Sequence, residues 1–180
     1  MVSVTKYPTA NTNPDSWTNP QNVYDGVEDG TTCASKNFVA QGTKYLYLSD
    51  YGFDIPAGAV LDNVFIDHKG IIDCSITAAQ VLIFVFRFNF QDIIDGQSDV
   101  LYGGSCANTA YKGEVDILPL LRGSVLTVAD LNDETFTTYL QATATIASVH
   151  RFYCDAAYIR VVYHVQGGTV AMVKRQGVGH

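Results

Sequence analysis

The chain has 180 residues, of which 47% are hydrophobic and 16% charged, and its net charge is −7. This length favours one well-filled domain. The acidic balance and the scattered lysines and arginines argue against a nucleic-acid partner, because nucleic-acid binders normally carry a basic stripe. The 11 tyrosines and 9 phenylalanines favour strands over helices.

The first 14 residues, MVSVTKYPTANTNP, lack the basic start, apolar core and cleavage site of a secretory signal. The longest nearly apolar run, residues 78–86, is too short to cross a bilayer. We therefore expect a soluble protein made in a cytoplasm, without a membrane partner, whose export, if it is exported at all, is by cell lysis or assembly.

The sequence predicts three regions. Residues 1–20, rich in Thr, Asn and Pro, read as an extended N-terminal arm with a short strand over residues 2–5. Residues 21–165 form the main domain, and residues 166–180 form a C-terminal arm after a glycine hinge. Trp17, the only tryptophan, has two interpretations: a plug over one end of the core, or a ring that stacks on a sugar.

Residues 44–74 predict two strands, over residues 44–54 and 59–68, paired as a hairpin through a tight turn. Pro56 fixes φ at the first corner, and Gly58 can adopt a positive φ. His68 has the inward phase of the second strand, and we interpret it as a residue at the rim of the core.

The spacing of the apolar residues in the second strand predicts a β-bulge. The step from Leu61 to Val64 is three residues, whereas Val64 to Ile66 is the two of a regular strand. An extra residue near Asp62 and Asn63 keeps the three apolar side chains on one face.

Residues 78–90 predict a strand that is apolar on both faces for half its length. One face carries only large apolar residues, namely Leu82, Phe84, Phe86, Phe88 and Phe90, and the other begins with Val81, Ile83 and Val85. Such a strand is either central and covered or part of an interface.

The second half of the chain predicts four further elements. Residues 91–114 are polar and glycine-rich and indicate a long excursion with one short edge strand, and residues 114–121 indicate another strand. Thr127 or Asp130 caps a single helical turn within residues 127–136, where the spacing of a calcium loop is absent. Strands then follow over residues 137–146 and 155–165.

The last strand alternates cleanly. Ile159, Val161, Tyr163 and Val165 occupy one face, and Tyr158, Arg160, Val162 and His164 occupy the other. Six to nine strands with turn signals between them and no long helix predict an all-β, antiparallel β-sandwich.

The four cysteines, Cys33, Cys74, Cys106 and Cys154, are each more than 30 residues apart. Zinc ligands usually come in close pairs, so the spacing disfavours a zinc site, and no metal or cofactor is predicted. Small buried thiols are the favoured interpretation, and a disulfide formed after release is the alternative.

Several segments together resemble a family of small structural proteins of tailed bacteriophages, prophages and some archaeal viruses. They are residues 17–22 (WTNPQN), Asp25 with Gly26, residues 51–59 (YGFDIPAGA), Val64 with Ile66, residues 126–136 (LTVADLNDETF) and residues 155–163 (DAAYIRVVY). The resemblance spans about four-fifths of the chain. Asn63 stands where the family usually has Gly, and His68 where it has an aliphatic residue.

The resemblance implies a jelly-roll or galactose-binding-like sandwich and a place in the head, neck or tail of a virion. The family has no well-defined biochemical activity, and the four histidines have no motif partners, so we expect no enzyme. The first hypothesis is a structural virion protein that binds copies of itself and other virion proteins by adding strands to sheet edges.

The second hypothesis is a carbohydrate-binding or host-adhesion module that binds host-surface glycans. Aromatic rings offer stacking surfaces for sugars, although tyrosine on an outer strand face also has high β propensity. The candidate interaction residues are Trp17, Tyr45, Tyr47, Tyr102 and Tyr111, and Tyr51 belongs to the same group of rings.

Overall fold

The computed structural model describes residues 1–23, 32–38, 42–72, 80–88, 91–94, 104–111, 113–121, 124–144 and 150–166. Within these ranges the strands are β1 Val2–Lys6, β2 Ala10–Thr12, β3 Ala34–Phe38, β4 Gly42–Ser49, β5 Ala59–Ile72, β6 Gln80–Phe88, β7 Gln91–Ile94, β8 Ala110–Tyr111, β9 Val115–Asp116, β10 Thr137–Ala144 and β11 His150–Val165. One short helix, α1, spans Val128–Asn132. None of the described helices is long and apolar enough to span a membrane.

Two antiparallel sheets pack face to face. The first sheet has the order β1-β11-β5-β8, with β3 also paired to β11 and β9 to β5, and the second has the order β2-β4-β10-β6-β7. Fully buried aliphatic and aromatic side chains fill the space between them, including Leu46, Phe86 and Leu140 from the second sheet and Val64, Ile66, Ile159 and Val161 from the first. The predicted all-β, antiparallel sandwich is confirmed.

The predicted hairpin of residues 44–54 and 59–68 is wrong. β4 belongs to the second sheet and β5 to the first, so the segment between them crosses from one sheet to the other. The turn itself forms as expected: the Ala59 amide donates to the Pro56 carbonyl at 3.0 Å, and Gly58 has a φ of 84°. Alternation in two strands does not decide the pairing, because an inward face packs equally well in a hairpin or across a sandwich.

The predicted bulge in β5 is confirmed. Val162 pairs with Asn63 and Tyr163 pairs with Leu61, so Asp62 is the extra residue of the ladder. As a result Val64 keeps its inward phase and is fully buried.

A second bulge, which the sequence did not indicate, lies in β11. Cys154 pairs with Gly70 and Ala156 pairs with Lys69, which leaves Asp155 as the extra residue. The buried side chains of the strand accordingly change phase at this point, from Phe152 and Cys154 to Ala157, Ile159, Val161 and Tyr163.

The strand β11 also begins earlier than predicted, at His150. Val165, predicted to face inward, is 55% exposed, because it is the last residue of the strand and lies at the end of the sandwich.

Residues of the predicted N-terminal arm belong to both sheets. β1 pairs with β11 and β2 pairs with β4, so this segment is part of the sandwich and does not project from it. Trp17 is 3% exposed and packs in the main core, as the plug interpretation expected. Asn13 holds the loop by accepting from the Trp17 amide and donating to its carbonyl. Residues 167–180 of the predicted C-terminal arm lie outside the described residues.

Residues 114–121 form a shorter strand than predicted. Only Val115–Asp116 is extended, and a 3-10 turn over Leu118–Leu120 follows. Pro119 lies in that turn and has no N–H to donate to a ladder, which explains the early end of the strand. The excursion of residues 91–114 contributes two short strands, β7 on β6 and β8 on β5.

The predicted capped turn is confirmed. The Thr127 hydroxyl accepts a hydrogen bond from the Asp130 amide, and the Asp130 carboxylate accepts one from the Thr127 amide. Each side chain thus satisfies the backbone N–H of the other residue. β10 confirms the next predicted strand up to Ala144.

The end of α1 is joined to the crossover between the sheets by Asn132. Its side-chain amide donates to the Ile55 carbonyl at 2.9 Å, and its side-chain oxygen accepts from the Ile55 amide at 3.1 Å. Ile55 is 2% exposed and lies outside every described strand, so the Asn132 side chain supplies the partners that a ladder would otherwise give.

We expect Asn132→Ala to destabilise the protein by about 2 kcal/mol, because it leaves the buried N–H and C=O of Ile55 without partners. Urea unfolding followed by tryptophan fluorescence measures this change. Glu134→Ala, a substitution of an exposed residue just after the same helix, is the control and should change the free energy of unfolding by less than about 0.5 kcal/mol. Equal effects of the two variants would contradict the bridging role of Asn132.

Candidate functional site

A cluster of tyrosines covers part of the outer face of the second sheet. We call it the tyrosine face, and it consists of Tyr45 and Tyr47 on β4 and Tyr139 on β10. The ring centroids of Tyr45 and Tyr47 are 6.1 Å apart and nearly parallel, and each lies 5.6 Å from that of Tyr139. Such distances are those of interacting aromatic pairs.

Strand alternation produces the tyrosine face. In β4, Leu46 and Leu48 are fully buried in the core, so Tyr45 and Tyr47 point outward. The register places Tyr139 between Tyr47 on one side and Val85 of β6 on the other. Tyr139 is buried, whereas the rings of Tyr45 and Tyr47 are half-buried and accessible.

The two-sided apolar character of β6 contributes to this face. β6 lies between β10 and β7, with Phe86 buried in the main core and Val85 buried with Tyr139 in a separate outer cluster. The strand is therefore central and covered at these two positions. The side chains of Leu82, Phe84, Phe88 and Phe90 lie outside the described residues.

Asp15 fixes the strand that carries the tyrosine face. Its carboxylate accepts from the Tyr45 amide at 2.7 Å and lies 3.1 Å from the Lys44 ammonium group. Burial raises the pKa of the Asp15 carboxyl, but these hydrogen bonds and the nearby lysines outweigh that effect and hold it below its usual value. The carboxylate is thus charged at neutral pH and attached to the edge of the face.

A second aromatic group lies on the outer face of the first sheet. We call it the Tyr158 cluster, and it consists of Tyr7, Tyr111, Tyr158, Glu114 and Arg160. The Tyr158 ring centroid lies 5.9 Å from that of Tyr7 and 5.5 Å from that of Tyr111. Tyr158 donates to the Glu114 carboxylate at 3.1 Å, and Arg160 donates to both oxygens of the same carboxylate.

The Glu114–Arg160 pair sets the electrostatics of the Tyr158 cluster. The hydrogen bonds from Arg160 hold the pKa of the Glu114 carboxyl below its usual value, although partial burial acts in the opposite direction. Burial, together with the negative charges of Asp67 and Glu114, raises the pKa of the Tyr158 hydroxyl. The cluster therefore presents a protonated tyrosine beside an ion pair whose charges are already neutralised.

The five candidate interaction residues do not form one site. Tyr45 and Tyr47 lie together on the tyrosine face, and Tyr111 lies on the opposite side of the sandwich, in the Tyr158 cluster. Trp17 is 3% exposed and belongs to the core cluster, so its ring is not available to stack on a sugar. Tyr102 lies outside the described residues.

Tyr51, the further ring of the predicted group, is also buried. Its hydroxyl contacts the Thr138 hydroxyl, and burial raises the pKa of Tyr51. The functional candidates missed in the sequence are Tyr139, Tyr158, Glu114 and Arg160. The outward phase of Tyr158 and Arg160 was visible in the alternation of the last strand, but their contact with Glu114 depends on the pairing of β9 with β5.

An apolar cleft of about 680 Å³ opens at one end of the sandwich. Residues 57–61 line one wall, and Leu118, residues 126–129 and Asn132 line the other. The cleft lies directly between the two segments that Asn132 and Ile55 join.

Two of the cysteines form a disulfide, which corrects the favoured interpretation of buried thiols. Cys33 and Cys106 are bonded, with sulfurs 2.01 Å apart and a sequence separation of 73. Cys154 is a buried free thiol, as predicted, and Cys74 lies outside the described residues. The spacing of cysteines in a sequence does not reveal which of them meet in space.

Comparison with models of known protein families gives no match, and no curated protein matches the chain. The described surfaces offer two features for binding a ligand. The tyrosine face has half-exposed rings for stacking, and the Tyr158 cluster has a neutralised ion pair for hydrogen bonding.

Lowering the pH should remove the stabilisation contributed by Glu114. Its folded-state pKa lies below the usual 4.5, so the unfolded chain takes up the proton first as the pH falls. The contribution is complete above pH 4.5 and disappears as the pH falls through the folded-state value. We expect the difference in unfolding free energy between the wild type and Glu114→Gln to be largest at neutral pH and to shrink in acid.

Chemical denaturation of both proteins across this pH range measures the effect. Glu134→Gln, which changes an exposed carboxylate, serves as the control for the change of charge. A difference between wild type and Glu114→Gln that stays constant with pH would contradict the role of the ion pair.

Proposed function

We propose that this protein is a non-enzymatic structural component of a tailed-virus particle, in the head, neck or tail, and that it acts through contacts with copies of itself and with other virion proteins. The resemblance of its sequence segments to that family supports the proposal. The sandwich, which the resemblance implies, is the architecture that the described strands form.

The observation that carries the proposal is the spatial convergence of the segments that resemble the family. Residues 51–59 and 126–136 meet through the Asn132–Ile55 hydrogen bonds and through the rings of Tyr51 and Phe136, whose centroids are 5.9 Å apart. Residues 155–163 pair with β5, which follows the turn. Segments that are separately weak signals thus build one contiguous unit, as expected when a shared pattern encodes a shared structure.

The disulfide gives independent support. Disulfides form and persist outside the reducing cytosol, on cell surfaces and in virions. A bond between Cys33 and Cys106 therefore fits a protein that works after release from the producing cell.

The edge strand β1 is the surface that we assign to contacts between subunits. Among the described strands β1 pairs only with β11, so its other edge carries backbone groups that can pair with another chain. It spans five residues without proline, and its outward positions Ser3 and Thr5 are exposed. Addition of a strand from a neighbouring subunit would extend the first sheet.

We expect the purified protein to form a discrete oligomer and Ser3→Lys/Thr5→Lys to dissociate it, because charges along an edge oppose strand addition. Sedimentation velocity measures the assembly state. Gln21→Lys/Val125→Lys adds the same charge at exposed positions outside the strands and should leave the oligomer intact. A wild-type monomer at all concentrations would contradict the proposal, and an oligomer unaffected by the edge lysines would contradict the assignment of β1.

A carbohydrate-binding or host-adhesion role is the second candidate. The tyrosine face favours it, because the rings of Tyr45 and Tyr47 are parallel and half-exposed beside charged Asp15 and Lys44. Sugars commonly bind where an aromatic plane adjoins hydrogen-bonding groups.

If this role holds, Tyr45→Ala/Tyr47→Ala should weaken binding to a glycan by at least about tenfold, the equivalent of about 1.4 kcal/mol. A glycan array identifies the ligand, and calorimetry then measures the dissociation constant. Tyr111→Ala, on the opposite face, is the matched control and should leave binding unchanged. Loss of binding in the control alone would move the site to the Tyr158 cluster, and an array without any ligand would exclude the role for the glycans tested.

A further inference from the structure

A buried carboxylate lies against the disulfide. The sulfurs of Cys33 and Cys106 and a carboxylate oxygen of Asp155 all lie within 4.8 Å of one another. Cys33 and Asp155 are buried, whereas Cys106 is partly exposed. Ligand-type atoms from three distant parts of the chain therefore meet at one point.

The bulge in β11 creates this arrangement. Ala34 pairs with Cys154, so Cys33 continues the ladder beside Asp155, the extra residue of the bulge. Cys106 begins the 3-10 turn that leads into β8, and β8 pairs with Lys69 and Gly70 opposite the same bulge. Bulges commonly redirect a side chain away from the regular alternation of its strand.

The two oxygens of Asp155 have different surroundings. Oδ2 accepts from the Lys69 ammonium group at 2.6 Å. Oδ1 is buried and has no hydrogen-bond partner among the described residues. A buried carboxylate oxygen without a donor is costly, because it has lost its hydration without replacement. Asp155 is 1% exposed, and one of its carboxylate oxygens lies within 4.8 Å of both sulfurs.

We propose that, when the disulfide is reduced, Cys33, Cys106 and Asp155 form a binding site for Zn²⁺. A dithiol reductant supplies two electrons and two protons, which convert the disulfide into two thiols, and the reductant becomes a disulfide itself. Zn²⁺ then replaces the two thiol protons, which pass to solvent. The metal has two sulfur ligands and one oxygen ligand, and a water molecule completes the tetrahedron.

The spacing of the three residues suits this coordination. Two Zn–S bonds of about 2.3 Å at a tetrahedral angle place the sulfurs about 3.8 Å apart. Reduction breaks the bond between the sulfurs and lets them separate to that distance, and a carboxylate oxygen of Asp155 already lies within 4.8 Å of both. Partial exposure of Cys106 gives the metal a path to the site.

The charges also balance. Two thiolates and one carboxylate carry three negative charges, and Zn²⁺ with the Lys69 ammonium group carries three positive ones. The Lys69 hydrogen bond to Oδ2 leaves Oδ1 for the metal and fixes the orientation of the carboxylate, as partners outside the ligand set do in known metal sites. The disulfide and the bound metal thus exclude each other. Zinc binding at this site therefore depends on the redox state of the compartment. This proposal is independent of the function proposed above.

Cobalt and zinc titrations of the full chain test the site. The protein is reduced with dithiothreitol, freed of the reductant without oxygen, and titrated with Co²⁺ while thiolate-to-cobalt charge-transfer absorption is recorded. We expect one cobalt per chain, displaced by zinc, and no band for the oxidised protein. Cys33→Ser and Cys106→Ser should each abolish the band, and Asp155→Asn should weaken zinc binding at least about tenfold.

Two control variants separate the ligands from their surroundings. Cys154→Ser removes a buried thiol that is not part of the group, and Lys69→Gln breaks the same ion pair as Asp155→Asn but keeps the carboxylate. Both should retain the cobalt band. Circular dichroism follows folding, and zinc should restore β structure to any reduced protein that has lost it. Absence of the band, or zinc binding unchanged by Asp155→Asn, would overturn the proposal.

Discussion

The pair of hydrogen bonds between Asn132 and Ile55 is the constraint on which the sandwich depends. The chain must pass from the second sheet to the first between β4 and β5, and the buried backbone of Ile55 has no ladder there. A single side-chain amide supplies both a donor and an acceptor, so one residue satisfies the N–H and the C=O of Ile55 together. The capped helix α1 holds that amide in place, so a local capping signal serves a contact between the two halves of the chain.

The long antiparallel pair of β5 and β11 is the frame of the first sheet, and each strand carries one bulge. The extra residue is an aspartate in both cases, and each carboxylate binds a cationic or titratable side chain of the partner strand: Asp62 lies 2.9 Å from the His164 ring and Asp155 lies 2.6 Å from Lys69. The Asp62 pair is half-exposed, whereas the Asp155 carboxylate is buried and lies beside a disulfide. The bulge at Asp62 therefore adjusts the register of the strand pair, and the bulge at Asp155 brings ligand-type atoms together.

Part of the candidate site was predictable from sequence. Alternation in β4 alone places Tyr45 and Tyr47 on the outer face, because Leu46 and Leu48 must face the core. Tyr139 joins them only through the pairing of β10 with β4, and Tyr111 is separated from them because β8 pairs in the other sheet. Counting tyrosines could not distinguish these faces, since strand propensity is the same on either side of a sandwich.

The sequence by itself determined the turn at Pro56–Gly58, the bulge at Asp62 and the cap at Thr127, because each depends on residues close together in the chain. It also determined the sandwich class, because the alternation of each strand and the turn signals between strands are local patterns that add up along the chain. The tertiary structure decided that β4 and β5 belong to different sheets, that Trp17 is enclosed in the core, and that Cys33, Cys106 and Asp155 meet. These features depend on which distant strands pair. An alternating pattern determines which face of a strand points inward, but it does not determine which strand lies beside it.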